Sequence, residues 1–321
     1  MPVMLILSDD RHMLHTVAAV GDGDRAIDPA GVDAVSVLWR TLAGDRTGWS
    51  VERAKEGGLP GPWIVLREAT VSHLDTLGAM IAAGRSLPDG TTAVATAGRF
   101  QGQRGRIWHA EPGNLQLVSH FRVGLPAAMV QAALAALPAV AVAEAIGRHA
   151  AHEGLVGVKW VNDVVWGDAK VAGVLTRSDV MAGTVRSVRF GIGVNVAKAP
   201  ALPPGDLAAL PPAALADADA RFAAPDAWAE LLPHVVAHLA RLRDVLVRDG
   251  PDGVLDRYRA LAAFLGREVT MHPVDGPADA PPFVTGRVEA LLPDLSLHIA
   301  GHPEPVSVGR MRFTATESPR T

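Results

Sequence analysis

No residue between Gly124 and Ala143 is charged, and this run limits the fold more than any other part of the chain. It is rich in alanine, holds Pro126 and Pro138, and has Gln131 as its one polar side chain. A membrane-spanning helix usually leans on Leu, Ile, Phe and Val instead. A helix that is apolar all round is otherwise one enclosed by its own protein. The expectation is a buried helix, with a membrane span as the alternative. Such a helix needs a large surround. The chain has 321 residues, 49% of them hydrophobic, which is ample for a sizeable core. That length suggests roughly two domains.

The surround reads as α+β, a sheet with packed helices. Strands are expected at Trp63–Leu66, Thr92–Thr96, Leu115–Arg122 (alternating), Val156–Trp160 and Val185–Val196, with a hairpin of 164–166 and 171–175 about Gly167-Asp168. Helices are expected over Val32–Leu42, over Ser72–Ala83 with Thr70 or Ser72 as cap, and from the uncharged run to near Gly154. Two more are expected over Asp226–Val247 and Val254–Phe264. Residues 199–225, rich in Ala, Pro and Asp, read as a loop or linker. From Gly266 the texture changes to short strands at 268–271, 284–288, 295–299 and 305–308. That predicts a small β-barrel of about fifty residues, near the lower limit for independent folding. The opening MPVMLILSDD lacks a basic n-region and reads as a strand, not a signal peptide. Breakers from Gly57 to Pro62 mark a boundary, giving 1–61 as an N-terminal extension, 62–255 as the main domain and 256–321 as the small β domain.

Charge and composition narrow the chemistry. The formal charge is −4, so there is no net basic footprint for nucleic acid. There is no cysteine, which removes disulfides and thiolate metal sites and fits a reducing cytoplasm. His12/His15 and His149/His152 are pairs at i,i+3, but metal ligands come as three or four, so no metal site is expected. The chain has neither a Gly-x-Ser-x-Gly elbow nor a P-loop.

Four stretches could meet at one nucleotide site. Gly98 to Trp108 holds three glycines and three arginines. Glycine lets a loop wrap closely, and guanidinium forks hold phosphate. Lys159-Trp160-Val161-Asn162-Asp163 puts a lysine at a strand end, Lys170-Val171-Ala172-Gly173 a second, and Gly191-Ile192-Gly193-Val194-Asn195 glycines near the end of a strand. Lysine is scarce here, with only four in the chain, at 55, 159, 170 and 198.

Taken in order, Gly102-Gln103-Arg104-Gly105-Arg106-Ile107-Trp108, Pro112-Gly113-Asn114-Leu115, and the lysine and Gly-x-Gly stretches resemble the motifs of the biotin protein ligases, in the biotin/lipoate ligase superfamily. The resemblance covers about residues 62–250. It implies a catalytic domain like that of class II aminoacyl-tRNA synthetases, followed by an SH3-like β-barrel. It also implies two steps: a carboxylate attacks the α-phosphate of ATP, and an acceptor lysine then attacks the acyl-adenylate. Lys159 and Arg104 would be catalytic. Arg104, Arg106, Trp108, Lys170, Gly173 and Asn195 would bind ATP, and Ser72, Gly102, Lys159 and Gly173 the acid. ATP, Mg²⁺ and biotin are the implied ligands. The implied partner is a biotin carboxyl-carrier protein, met in the cytoplasm, without membrane binding and with a homodimer among the allowed assemblies. Relatives often carry an operator-binding winged helix. Residues 1–60 are short for one, have no net basic character and match no clear helix-turn-helix, so no DNA binding is expected.

The chain departs from the family at the acid-binding end. Val71-Ser72-His73 stands for the usual Ser-Thr-Asn, Gln103 for an arginine, Ala95 or Ala97 for a glutamine, and Val161 for a proline. A ligase for another acid, such as lipoate or octanoate, and a non-catalytic binding relative therefore stand as alternatives.

Overall fold

The computed structural model describes residues 3–19, 24–26, 34–54, 59–98, 100–102, 107–108, 110–150, 155–201, 210–275, 277 and 280–314. In chain order the elements up to the long helix are β1 (Val3–Ser8), α1 (Arg11–Ala18), β2 (Arg25–Ala26), α2 (Ala34–Ala43), β3 (Trp49–Ala54), β4 (Trp63–Ala69), α3 (His73–Ala82), β5 (Thr92–Gly98), the short ribbon β6 (Phe100–Gln101) and β7 (Ile107–Trp108), β8 (Leu115–Pro126) and α4 (Ala127–Ala150). There follow β9 (Val156–Lys159), β10 (Asp163–Trp166), β11 (Ala169–Met181), β12 (Thr184–Val194), α5 (Leu215–Ala218), α6 (Ala227–Asp249) and α7 (Asp252–Ala260). The last strands are β13 (Glu268–His272), β14 (Val284–Leu291), β15 (Leu297–Ile299) and β16 (Arg310–Phe313).

Ten strands form one mixed sheet in the order β2-β3-β1-β4-β5-β8-β12-β11-β10-β9. The β1/β4 and β4/β5 pairs are parallel and the rest antiparallel. This is the mixed sheet with packed helices expected of an α+β chain. The uncharged run is α4. Its side chains from Ala133 to Ile146 are almost all sealed against α6, α7 and one face of the sheet. By length and composition Ala127–Arg148 would suit a membrane span, yet 72% of its most apolar window is buried inside the protein. Glu144, the acid within α4, is paired by Arg241 of α6 and Arg257 of α7. On the other face α2 and α3 cover β4, β5 and part of β8 through Leu38, Trp39, Leu77, Ile64, Leu66 and Val118, and Leu74 of α3 reaches Gly191 of β12.

Strands on both sides of 61/62 share one sheet, since β1 pairs with β3 and with β4, and residue 256 lies inside α7. Several expectations about single elements need correction. β8 does not alternate: Leu115 to Phe121 are all buried, since helices and strands enclose both faces there. α7 stops at Ala260, and the next residues run beside β9, with Val158 N–H donating to Leu261 O and Ala263 N–H to Val158 O. Residues 210–225 are docked on the protein, with Leu210, Leu215 and Phe222 buried. The C-terminal β part is a four-stranded antiparallel sheet in the order β15-β14-β13-β16. Of the strand expected at 305–308, only Val306 bridges, to Leu297, and the fourth strand is Arg310–Phe313.

Candidate active site

Where α2 and α3 leave the sheet open, a row of directly paired residues crosses it. Ala95 pairs with Gln116, Gln116 with Gly193, Gly193 with Gly173, Gly173 with Asp163, and Asp163 with Lys159. Side chains directly opposite in a ladder share a face. The row therefore presents an amide, a bare glycine floor, a carboxylate and a lysine in sequence across β8, β12, β11, β10 and β9.

The glycines are a steric requirement. A Cβ on Gly193 would lie 2.5 Å from the Trp108 indole and 2.6 Å from Gln116 Oε1, and one on Gly173 2.8 Å from the same indole. Trp108 thus lies against both glycines, with Lys170 Nζ 5.3 Å from its ring centroid. Its Nε1 is buried without a partner.

Asp163 gathers the cations. Its Oδ2 is 3.3 Å from Lys159 Nζ and its Oδ1 is 2.6 Å from Lys170 Nζ. Lys170 reaches this face through a register irregularity at Val164/Val165, which leaves Val171 without a partner on β10. Such a bulge re-aims the next side chain. Burial pushes the Asp163 carboxyl upward, and the two lysines outweigh it and hold it at about 2.

Neighbouring contacts fix this arrangement. Asn162 donates to Val174 O at 2.9 Å, Tyr258 Oη to Val161 O at 3.0 Å, and Trp160 Nε1 to Leu295 O at 2.8 Å. The segment carrying Lys159 is therefore held by α7 and the C-terminal sheet. Asn114 accepts from the N–H groups of Val196, Ala197 and Lys198 at 2.9, 3.1 and 3.2 Å, fixing the chain as it leaves Asn195. Asn195 is 2% exposed; its Nδ2 donates to Ala213 O at 3.0 Å, while its Oδ1 has no partner.

From Gln116 to Lys159 the row, with Trp108, Lys170 and Asn195, lines a cavity of about 1180 Å³ that reaches from the start of α3 to the C-terminal sheet. Small-ligand pockets run to about 300–1,000 Å³, so this one has room for two substrates end to end. Of the expected site residues, Ser72, Gly102, Trp108, Lys159, Lys170, Gly173 and Asn195 all line it. Ser72 also caps α3, accepting from Asp75 N–H at 3.4 Å, and its hydroxyl can still donate. Arg104 and Arg106, with Gln103, lie outside the described residues. The sequence motifs assign no role to Asp163, Gln116 or His73. The i,i+4 spacing of Lys159 and Asp163 was a usable signal for the first, and the single long polar residue in Leu115–Val118 for the second.

The residues present do not make a magnesium cage. Of the aspartates lining the cavity, Asp163 faces a lysine on each oxygen, and among the described residues no group of three or more His, Asp or Glu converges.

A model of the biotin/lipoate A/B protein ligase family matches residues 86–195. The biotin–[acetyl-CoA-carboxylase] ligase of Paracoccus denitrificans is 33% identical over 178 residues, 54% of this chain and 70% of that protein. The bifunctional ligase/repressor BirA of Bacillus subtilis is 37% identical over 122 residues, 37% of this chain and 36% of that protein, so the match spans about a third of that relative. Among solved structures, the biotin protein ligase of Aquifex aeolicus in complex with biotin and ATP has a TM-score of 0.58 at 19% identity, covering 78% of this chain and 99% of that one. The Leishmania major biotin protein ligase in complex with biotinyl-5-AMP has a TM-score of 0.51 at 21% identity, covering 80% of this chain and 100% of that one. At these identities the structural likeness speaks for the fold.

Proposed function

Because this chain belongs to the biotin/lipoate A/B protein ligase family, we propose that it joins biotin to ATP as biotinyl-5'-AMP and then passes biotin to a lysine of a carboxyl-carrier protein. The observation that carries the reading is the cross-sheet row, in which one carboxylate presents two lysines beside a glycine floor.

The first step brings two anions together. The biotin carboxylate attacks the α-phosphorus, a P–O bond forms, and pyrophosphate leaves. Fixed cations in a partly enclosed site oppose the repulsion without reorganising. Lys159, buried at the sheet end, takes the carboxylate and α-phosphate. Lys170 adds a second charge, and Asp163 holds both ammonium groups in place. Arg104 and Arg106 are assigned to the phosphates by their place in the motif. Trp108, seated on Gly173 and Gly193, offers the purine its indole to stack on, and the unpaired Asn195 Oδ1 accepts from the purine's amino group. In the second step the acceptor lysine amine attacks the mixed anhydride carbonyl, AMP leaves, and the amine gives up a proton. Mg²⁺ would arrive on the triphosphate, and no step here depends on it.

The reading includes a cytoplasmic setting, where ATP and the carrier protein meet. It does not include the repressor activity named for the Bacillus relative. The strands on either side of α1 and α2 are part of the main sheet, and α1 packs into its core.

The test is pyrophosphate release from ATP with biotin, lipoate or octanoate, in the wild type and in Lys159→Ala. Release with biotin that falls at least about a hundredfold in the variant is the expected result, the scale of losing one charge-stabilising donor. No release with any acid would refute a catalytic role, and release with lipoate or octanoate alone would make this a ligase for that acid.

A further inference from the structure

Arg189 of β12 is 8% exposed, and the reaction proposed for the cavity leaves it unused. Side chains two apart on a strand share a face, so Arg189 stands beside Gly191 and Gly193 on the side of the sheet that floors the cavity. Its Nη1 donates to Leu74 O in the first turn of α3 at 2.9 Å, and its Nη2 to Asp179 Oδ1 of β11 at 2.9 Å. Ser187 Oγ donates to the other oxygen of Asp179 at 2.8 Å. The Nε of Arg189 is buried without a partner.

Helix α3 is notched to receive this group. A Cβ on Gly78 would lie 1.9 Å from Arg189 Nη1 and 2.9 Å from its Cζ, so no larger residue fits while the guanidinium is in place. Gly78 sits in the middle of α3, where no turn calls for it. Apart from proline, glycine is the least favourable residue inside a helix. Burying a guanidinium is also costly, and an apolar side chain of similar volume often serves stability as well. Two local costs that meet at one hydrogen bond point to a gain in position.

Leu74 is held twice. Its methyl lies 3.5 Å from where a Cβ on Gly191 would be, and its carbonyl is held by Arg189, the next residue on the same face of β12. Apolar contact has no direction, whereas a hydrogen bond to a carbonyl does. The residues whose place is set in this way are Ser72, His73 and Leu74, which line the cavity. With the nucleotide assigned to Trp108 and Asn195, the end under α3 is left to the acid.

We infer that Arg189, seated in the notch at Gly78, is a positioning residue that fixes the first turn of α3 over the glycine floor and so sets the affinity for the acid without touching it. The inference rests on the ligase reading for what occupies that end.

The experiment is initial-rate pyrophosphate release by the full chain, with biotin and ATP varied in turn, for the wild type, Gly78→Ala, Arg189→Leu and the double variant. If the wild type accepts only lipoate or octanoate, that acid takes the place of biotin. Each single variant should raise the acid's KM about tenfold, the scale of one hydrogen bond from a charged donor. The ATP KM and kcat should stay within about twofold. A merely structural role would lower kcat with the share of folded enzyme and leave both KM values alone. Both changes act on one contact, so the double variant should match Arg189→Leu, whereas independent effects would multiply to about a hundredfold. A multiplied effect overturns the inference, as does an unchanged acid KM in a folded single variant or an equal rise in both KM values. Asp179→Asn, at the part-exposed end of the clamp, serves if Arg189→Leu does not fold. It too should raise only the acid's KM, and no rise overturns the inference. No release by the wild type with any of the three acids ends the ligase reading, and amide exchange then decides the clamp. Arg189→Leu should speed exchange in α3 at least about tenfold more than in β8, and unchanged exchange in α3 overturns it.

Discussion

Lys170 Nζ stands 2.6 Å from Asp163 Oδ1, while the second oxygen of that carboxylate faces Lys159 at 3.3 Å. Two cations needed near the same phosphate would repel each other in the empty protein. A shared carboxylate offsets that repulsion and fixes where each ammonium points. Asp163 is thus a positioning residue acting through both lysines.

Asp163→Asn keeps the shape and removes the charge. Breaking a buried charge group by deleting one partner costs about 3–5 kcal/mol, and Asp163 is slightly open to solvent, so about 3 kcal/mol is expected from guanidinium unfolding. Pyrophosphate release should fall with it. In the wild type the carboxyl pKa is depressed to about 2. Its stabilising contribution is therefore complete above the ordinary carboxylate range and disappears as pH falls from about 4 to 2. An Asn variant whose acid unfolding curve overlays the wild type would contradict this role.

Two buried histidines predict the opposite end of the acid range. Burial lowers both His73 and His120 from 6.5 to about 4, and His238 is lowered by the same cause. The unfolded chain then binds protons that the folded one does not, so stability is full above pH 6.5 and drops as pH falls toward 4. Between those limits His73 and His120 together should give a slope of about 2.7 kcal/mol per pH unit. His120→Gln should remove about half of it. Unfolding free energies at pH 5 and 6 provide the check, and an unchanged slope would show that His120 titrates normally.

Gly193→Ala probes the floor. The added methyl meets Trp108 at 2.5 Å and Gln116 Oε1 at 2.6 Å, so the indole has to lift away. Overpacking a fitted site costs about 1–3 kcal/mol. Here it should appear mainly as an ATP KM raised about tenfold or more, with a shift in tryptophan emission. An unaltered KM would place the nucleotide elsewhere.

Much of the site was legible because each motif is local. Polar punctuation after an apolar run marks Lys159 to Asp163, and the Gly-x-Gly near the end of β12 marks the floor. The motifs do not reveal register. That Gln116, Gly193, Gly173, Asp163 and Lys159 share one line follows from strand pairings, the longest of which joins Gln116 to Gly193. Residues 199–225 read as a linker because Ala and Pro carry no strong pattern. Lys170 N–H donating to Pro211 O and Asn195 Nδ2 donating to Ala213 O are what dock residues 210–225. The fourth C-terminal strand was misplaced because Arg310–Phe313 alternates charge and bulk with only Met311 fully buried, whereas Pro305–Val308 looks more apolar and pairs only once.

The first 61 residues give the last prediction. Asp9, 5% exposed just after β1, pairs with Arg46 Nη1 at 2.7 Å and accepts from Arg67 N–H of β4 at 2.9 Å. One carboxylate thus ties β1 to β4 and to the segment following α2. An extension with its own stability would unfold apart from the rest, whereas a sheet strand cannot leave without exposing its neighbours. Asp9→Ala should lower the stability of the whole protein by about 3 kcal/mol, the scale of removing one partner of a buried pair. Unfolding should stay a single transition, with amide exchange accelerated in β4 as well as β1. A separate early transition confined to residues 1–61, leaving β4 protected, would show instead that this segment is an appendage.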